Sequence, residues 1–380
     1  MKKILFITHD SSRSGAPMLL LYLLKWLKNK RTDWKIDVLT LEKGPLDQEL
    51  KEASHNFNYY YERYISKSQY YIKRLLHNNF NFENHYKEKF YNKYKEQKYD
   101  VIYANTVVSL PMAILLKNNF TTVPKLICNV HELPTVIDTT VQNFKEIAQE
   151  VDLFIAGSEL VADTLVKDYH IPSDKIKVVY DFTDLTLLPP YKDKNADSTF
   201  VIGAMGAMNW RKGNDLFLLS AIHLKKKYPE LNIKFEWMGT QPFFEKEIIK
   251  NDIRKAGLTS DYIQYNNSSV DYREFFTKMN ILLLTSREDP FPLVAIEAGA
   301  YGLPLITFDK ATGINEIITK NKGGGFIVPY LDIEAIVEKI VFYYHNRDQI
   351  KKDSDINRES FKEFTIENSG PVIIDILENI

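Results

Sequence analysis

The 380 residues include a single cysteine, Cys128, which excludes an intrachain disulfide framework and a cysteine-rich zinc site and fits a reducing compartment. An excess of one charge is also missing. Lys and Arg number 49 against 50 Asp and Glu, a net charge of -1, so no overall field draws the chain to phosphate backbones and no nucleic-acid partner is expected. Long apolar runs are absent too. The longest, Met18 to Leu27, is interrupted by Lys25 and falls short of the roughly 20 residues a membrane span needs. The opening run Ile4 to Thr8 stops at His9-Asp10, too short for the core of an export signal. These absences predict a cytoplasmic protein. Metal chemistry has little support, since the eight histidines are scattered and H-E-x-x-H does not occur. G-x-S-x-G is missing, which argues against a serine hydrolase. The first turn lacks G-x-G-x-x-G, which argues against a dinucleotide fingerprint.

What remains is ordinary globular composition, 44% apolar and 26% charged, in a chain longer than one core usually serves, so two domains are expected. Continuous apolar runs at Ile4–Thr8, Trp34–Thr40, Val101–Ala104, Lys125–Val130 and Leu153–Gly157 alternate with helical periodicity such as Pro17–Lys28. After a polar stretch at 189–198 the pattern restarts with Thr199–Gly203, Ile233–Met238, Ile281–Thr285 and Leu305–Phe308. Helix-like segments at Asp215–Lys227, Tyr272–Met279 and Leu293–Ala300 separate these runs. Buried strands spaced by helices predict parallel sheets covered on both faces, an α/β chain of two doubly wound Rossmann-like domains. Ligands of such sheets bind at the carboxyl ends of strands, so two facing domains would share one cleft. Residues 51–100 break the regularity, with ten Lys and Arg against six Asp and Glu among many tyrosines. This segment reads as a helical excursion. It suits an anionic membrane or a polyanionic acceptor, and equally an ordinary solvated helical face.

The richest motif is Ser286-Arg287-Glu288-Asp289-Pro290-Phe291-Pro292-Leu293-Val294-Ala295-Ile296-Glu297. A buried strand ends in an acidic loop, and Pro292 opens a helix whose first amides are unpaired donors suited to a diphosphate. Asp289 and Glu297 then lie on the order of 10 Å apart, the span from a sugar to a ribose across a diphosphate. A bland reading stays open, in which Asp289 caps the helix and Glu297 is an ordinary helix residue. Gly206-Ala207-Met208-Asn209-Trp210-Arg211-Lys212-Gly213 sets a strand, a glycine-bearing loop and a cation before a helix, a phosphate-binding layout or a plain solvated helix start. Ser14-Gly15-Ala16-Pro17 opens the first helix, and His131-Glu132 ends a strand.

Together these motifs resemble the retaining, nucleotide-sugar-dependent glycosyltransferases of family four, of GT-B architecture. Asp289 stands at the first acid of their E-x7-E signature and Glu297 at the second. The resemblance implies that Asp289 contacts the transferred sugar and Glu297 the ribose. Lys212 matches the lysine that holds the donor diphosphate. The family's arginine falls on Ala207, so Arg211 substitutes only if its side chain turns inward. His131 matches the catalytic-site histidine, and Gly15, Ala16, Gly206, Gly239, Phe291, Pro292 and Leu293 fall on the donor side. The segment Lys175 to Asp184 departs from the family's usual junction turn.

The implied domains are 1–187, acceptor-side and carrying the 51–100 excursion; 188–360, donor-binding; and 361–380, packing back on the first. The implied activity is metal-independent hexosyl transfer from a nucleotide diphosphate sugar to a glycan or lipid-linked acceptor, in cell-surface polysaccharide synthesis, with peripheral contact at the inner membrane face as an expectation. No cofactor beyond the donor is implied. Two rivals remain. One is a sugar-nucleotide epimerase of the same fold; the other is a two-lobed binding protein, disfavoured by the lack of an export signal.

Overall fold

The computed structural model describes residues 1–60, 94–192, 198–268 and 272–380. It divides into two compact units. The first comprises Met1–Ala156, Thr164–Val179 and Gly370–Ile380, and the second Gly157–Asp163 and Tyr180–Ser369. These cuts differ from the boundaries expected at 187 and 360. Gly157–Asp163 and residues 180–187 group with the second unit, and of the segment 361–380 the last eleven residues, Gly370–Ile380, group with the first.

In the first unit, β1 (Lys3–Thr8), β2 (Lys35–Thr40), β3 (Asn56–Tyr59), β4 (Val101–Ala104), β5 (Lys125–Val130), β6 (Leu153–Ala156) and β7 (Ile176–Val178) form one sheet. Its order is β3-β2-β1-β4-β5-β6-β7, and every pairing is parallel. The order reverses between β1 and β4, which places the ligand-binding position of a doubly wound sheet at their carboxyl ends. The helix Gly15–Lys30 buries Leu19, Leu20, Leu23, Leu24 and Leu27 and carries Lys28 and Lys30 in its last turn, where the helix dipole favours cations.

The second unit repeats the scheme with β8 (Phe200–Met205), β9 (Ile233–Met238), β10 (Ile263–Asn266), β11 (Ile281–Leu284), β12 (Leu305–Phe308) and β13 (Gly325–Val328). Its order is β10-β9-β8-β11-β12-β13, again parallel, reversing between β8 and β11. Phe217, Phe235 and Trp237 pack edge to face in its core.

The strands that apolar runs revealed are the nine inner ones. The four that they did not reveal, β3, β7, β10 and β13, are the edges of the two sheets. Edge strands are covered less: β3 reads Asn-Phe-Asn-Tyr and β10 Ile-Gln-Tyr-Asn, each mostly half-buried. Two further expectations change. Tyr272–Met279 forms only a short 3-10 helix, Tyr272–Thr277. Of the 51–100 excursion, 61–93 lies outside the described residues; its start contains strand β3, and Tyr94 and Tyr99 are buried, with the Tyr99 hydroxyl donating to Asp37 at 2.8 Å.

Candidate functional site

In the second unit the reversal of strand order puts the loop after β8 beside the loop after β11. Gly213 makes their closeness possible. It adopts φ +68°, and a β-carbon there would fall 2.0 Å from the Thr285 carbonyl oxygen. The Thr285 hydroxyl donates to the Gly213 carbonyl at 2.8 Å, and the Arg287 amide donates to the Arg211 carbonyl at 2.8 Å. Arg287 also grips Asp215 with both terminal nitrogens, at 3.0 and 2.8 Å. Gly206 closes the far end of the loop: its carbonyl accepts from the Trp237 indole at 2.9 Å, and Gly239 lies so close that a β-carbon would overlap that carbonyl.

These contacts deliver two cations to one carboxylate. Lys212 Nζ lies 2.5 Å from Asp289 Oδ2 and Arg211 Nη1 lies 2.9 Å from Oδ1, while the Ser286 hydroxyl donates to Oδ2 at 3.1 Å. Arg211 is therefore turned inward, and it also reaches the Glu288 carbonyl at 3.0 Å. It is Asp289, rather than Glu288, whose carboxylate meets both cations. Burial alone would raise the Asp289 carboxyl; Lys212 and then Arg211 outweigh it and hold the group below the usual carboxylate range. Burial lowers the Lys212 ammonium, aided by Arg211 and opposed by Asp289.

The helix Leu293–Tyr301 begins beside this cluster. Pro292 is its N-cap, in extended conformation, and its carbonyl accepts from the Ala295 and Ile296 amides. The amides of Leu293 and Val294 come before the first intrahelical bond, at the positive end of the helix dipole. Phe291 is a packing residue, buried against Tyr180 and Phe364. Glu297, one helical stretch onward, is 2% exposed and accepts from Arg273 Nη2 at 2.7 Å, the Tyr272 hydroxyl at 2.8 Å and the Thr183 hydroxyl at 3.1 Å. Burial raises its carboxyl above the usual range against the pull of Arg273, Tyr272 and Thr183.

At the carboxyl edge of the first sheet, Gly15 opens its helix with nothing within 4 Å of an added β-carbon, so the fold itself does not require glycine there. The neighbouring Ala16 carbonyl accepts from the Asn105 side-chain amide at 2.9 Å. His131 follows β5. Its backbone amide donates to the Glu132 carboxylate at 2.9 Å, and Val107 adds a second amide at 3.4 Å. His9, at the end of β1, is also drawn in. Burial, with His131 nearby, depresses its imidazole below the usual range against Asp10 and Glu42.

Models of two sequence families match the chain in succession, Glycosyltransferase Family 4 over residues 13–187 and Glycosyl transferases group 1 over residues 191–363. The chain belongs to the group 1 glycosyltransferases. An uncharacterised glycosyltransferase of Haemophilus influenzae is 29% identical over 182 residues, 48% of this chain and 50% of its own length. The lipopolysaccharide core biosynthesis mannosyltransferase LpsB of Rhizobium meliloti is 27% identical over 184 residues, 47% of this chain and 51% of its own. The chain thus spans about half the length of these relatives. Among solved structures, Anabaena HepE in complex with UDP and glucose is similar over 100% of both chains, with TM-score 0.80 and 17% identity. Sucrose-phosphate synthase of Thermosynechococcus elongatus is similar over 100% of this chain and 98% of its own, with TM-score 0.77 and 18% identity. The fold of this group 1 glycosyltransferase is GT-B.

Within its second unit the expected Gly206, Arg211, Lys212, Gly239, Asp289, Phe291, Pro292, Leu293 and Glu297 gather at the carboxyl side of one sheet; Gly15, Ala16 and His131 gather at that of the other. Sequence reasoning overlooked Thr183, Tyr272, Arg273, Ser286 and His9. It also overlooked an Asp-x-Asp spelling, Asp353-Ser354-Asp355, which sits within the helix Arg347–Phe361. There Asp353 accepts from the Gly324 amide and the Tyr343 hydroxyl, a packing role rather than a ligand set. Among the described residues no group of three or more His, Cys, Asp or Glu is placed to hold a metal ion, and no helix is long and apolar enough to cross a membrane.

Proposed function

We propose that this chain transfers a hexose, with retention of anomeric configuration, from a nucleotide diphosphate sugar to a glycan or lipid-linked acceptor in the synthesis of a surface polysaccharide. One observation carries the reading: two inward cations, Arg211 and Lys212, meet on Asp289 just before the helix Leu293–Tyr301, whose first-turn amides precede the first intrahelical bond. An anionic diphosphate is the ligand that such a set neutralises best. The HepE complex with UDP and glucose and the LpsB role in lipopolysaccharide core synthesis support the donor and product classes.

In this mechanism Lys212, Arg211 and the Leu293 and Val294 amides stabilise the leaving diphosphate, where negative charge grows as the glycosidic bond breaks. Asp289 exchanges its two cations for the sugar hydroxyls once the diphosphate arrives. Glu297 accepts from the ribose. The leaving phosphate then receives the acceptor proton in a front-face displacement, and no cofactor or metal takes part. His131 is assigned to substrate contact. The experiment incubates the enzyme with a panel of radiolabelled nucleotide sugars, with and without lipid-linked acceptors, and assigns product anomers by NMR. A labelled product of inverted configuration overturns retention, and isomerisation of a donor incubated alone replaces transfer with epimerisation.

A further inference from the structure

Thr183, Tyr272 and Arg273 come from two stretches of chain far from Glu297 in sequence, and all three donate to the same oxygen, Oε1. Among the described residues no donor reaches Oε2. A carboxylate offers about four lone-pair positions, and loading one oxygen with three donors fixes the plane of the group and the direction of the other oxygen. We propose that Arg273, assisted by Tyr272 and Thr183, is a positioning residue that clamps Glu297 by Oε1 so that Oε2 stands as the acceptor for a hydroxyl of the donor nucleotide. This deepens the proposed function and rests on it.

The clamp also opposes protonation of the acceptor. Glu297 is buried, which favours the neutral acid. Arg273 supplies the charge that opposes this, and Tyr272 and Thr183 add neutral hydrogen bonds. A protonated Glu297 has an O–H where an acceptor is needed. Without Arg273 that opposition weakens, and the carboxyl takes up a proton at a higher pH than in wild type.

Calorimetric titration with UDP from about pH 5 to pH 8 tests this in the wild type, Arg273→Gln, Arg273→Lys and Glu297→Gln, each read relative to wild type at the same pH. In Arg273→Gln the affinity deficit grows by up to about tenfold per pH unit as pH falls from the variant's higher midpoint toward that of wild type, because one proton must leave. The deficit shrinks toward alkaline pH. Arg273→Lys recovers much of the affinity, and Glu297→Gln binds weakly with no added pH dependence. A deficit in Arg273→Gln that is equal at every pH, or absent, overturns the clamp. If Arg273→Gln does not fold, Tyr272→Phe decides, with a smaller deficit of the same pH trend expected and none overturning the proposal. Failure of wild type to bind UDP, GDP or ADP refutes instead the donor reading on which the clamp rests.

Discussion

Replacing Asp289 with Asn should weaken the fold and strengthen nucleotide binding in the same molecule. Asp289 is 5% exposed and balances Arg211 and Lys212, each held within hydrogen-bond distance. Removing one member of a buried ion cluster leaves uncompensated charge, which costs about 3–5 kcal/mol. The near-isosteric amide keeps the packing, so the lower end of that range applies. On the proposed donor reading the same contacts oppose binding in wild type, because a diphosphate would have to displace the carboxylate from both cations. A hydrogen bond to a charged group contributes about 1.5–3 kcal/mol, so losing that competition should tighten UDP by roughly 10- to 150-fold. Transfer should nevertheless collapse, since the variant has no carboxylate for the sugar.

The stability difference has its own pH signature. A carboxyl depressed in the folded state stabilises above its unfolded value, about pH 4, and this contribution disappears as pH falls through the folded value. The gap between wild type and Asp289→Asn in urea unfolding should therefore be full near neutrality and close below about pH 4. The reasoning is refuted if the variant unfolds like wild type at neutral pH and binds UDP no more tightly.

Other outcomes follow from the same geometry. Gly213→Ala must take a left-handed backbone and overlap the Thr285 carbonyl; strain alone costs about 1–2 kcal/mol, and thermal melting should show the loss. Gly15→Ala meets open space, so its melting temperature should match wild type while donor affinity, measured by titration, falls if the ligand approaches that backbone. His131→Ala should keep UDP affinity within a few-fold of wild type and lose most turnover in the radiolabel assay. Transfer should persist in chelator, as followed by the same assay with excess EDTA.

The interior of both sheets was legible because inner strands are continuous apolar runs, such as Ile4–Thr8 and Ile281–Leu284. The edges were not, because a strand covered on fewer sides tolerates the Asn and Gln of β3 and β10. The site divides in the same way. Asp289, Glu297 and Lys212 sit in compact motifs whose spacing is local, so the sequence displays them. Arg273 and Thr183 reach Glu297 from 24 and 114 positions away, and no local pattern announces such a meeting. Thr183 lies in the very turn where the chain departs from the family's usual sequence. Arg211 is an intermediate case: its position was visible, but its inward turn depends on the Arg287 amide and Gly213 holding the two loops together.

The central claim is that the second unit holds a nucleotide diphosphate sugar through Lys212 and Arg211. A thermal-shift panel of nucleotide sugars, run on wild type and Lys212→Ala, tests it most directly. A matched donor at 100 times its dissociation constant should stabilise wild type by about 2.7 kcal/mol, and Lys212→Ala should lose that response while keeping a cooperative melt. No response to any donor in wild type, or an undiminished response in Lys212→Ala, would contradict the account.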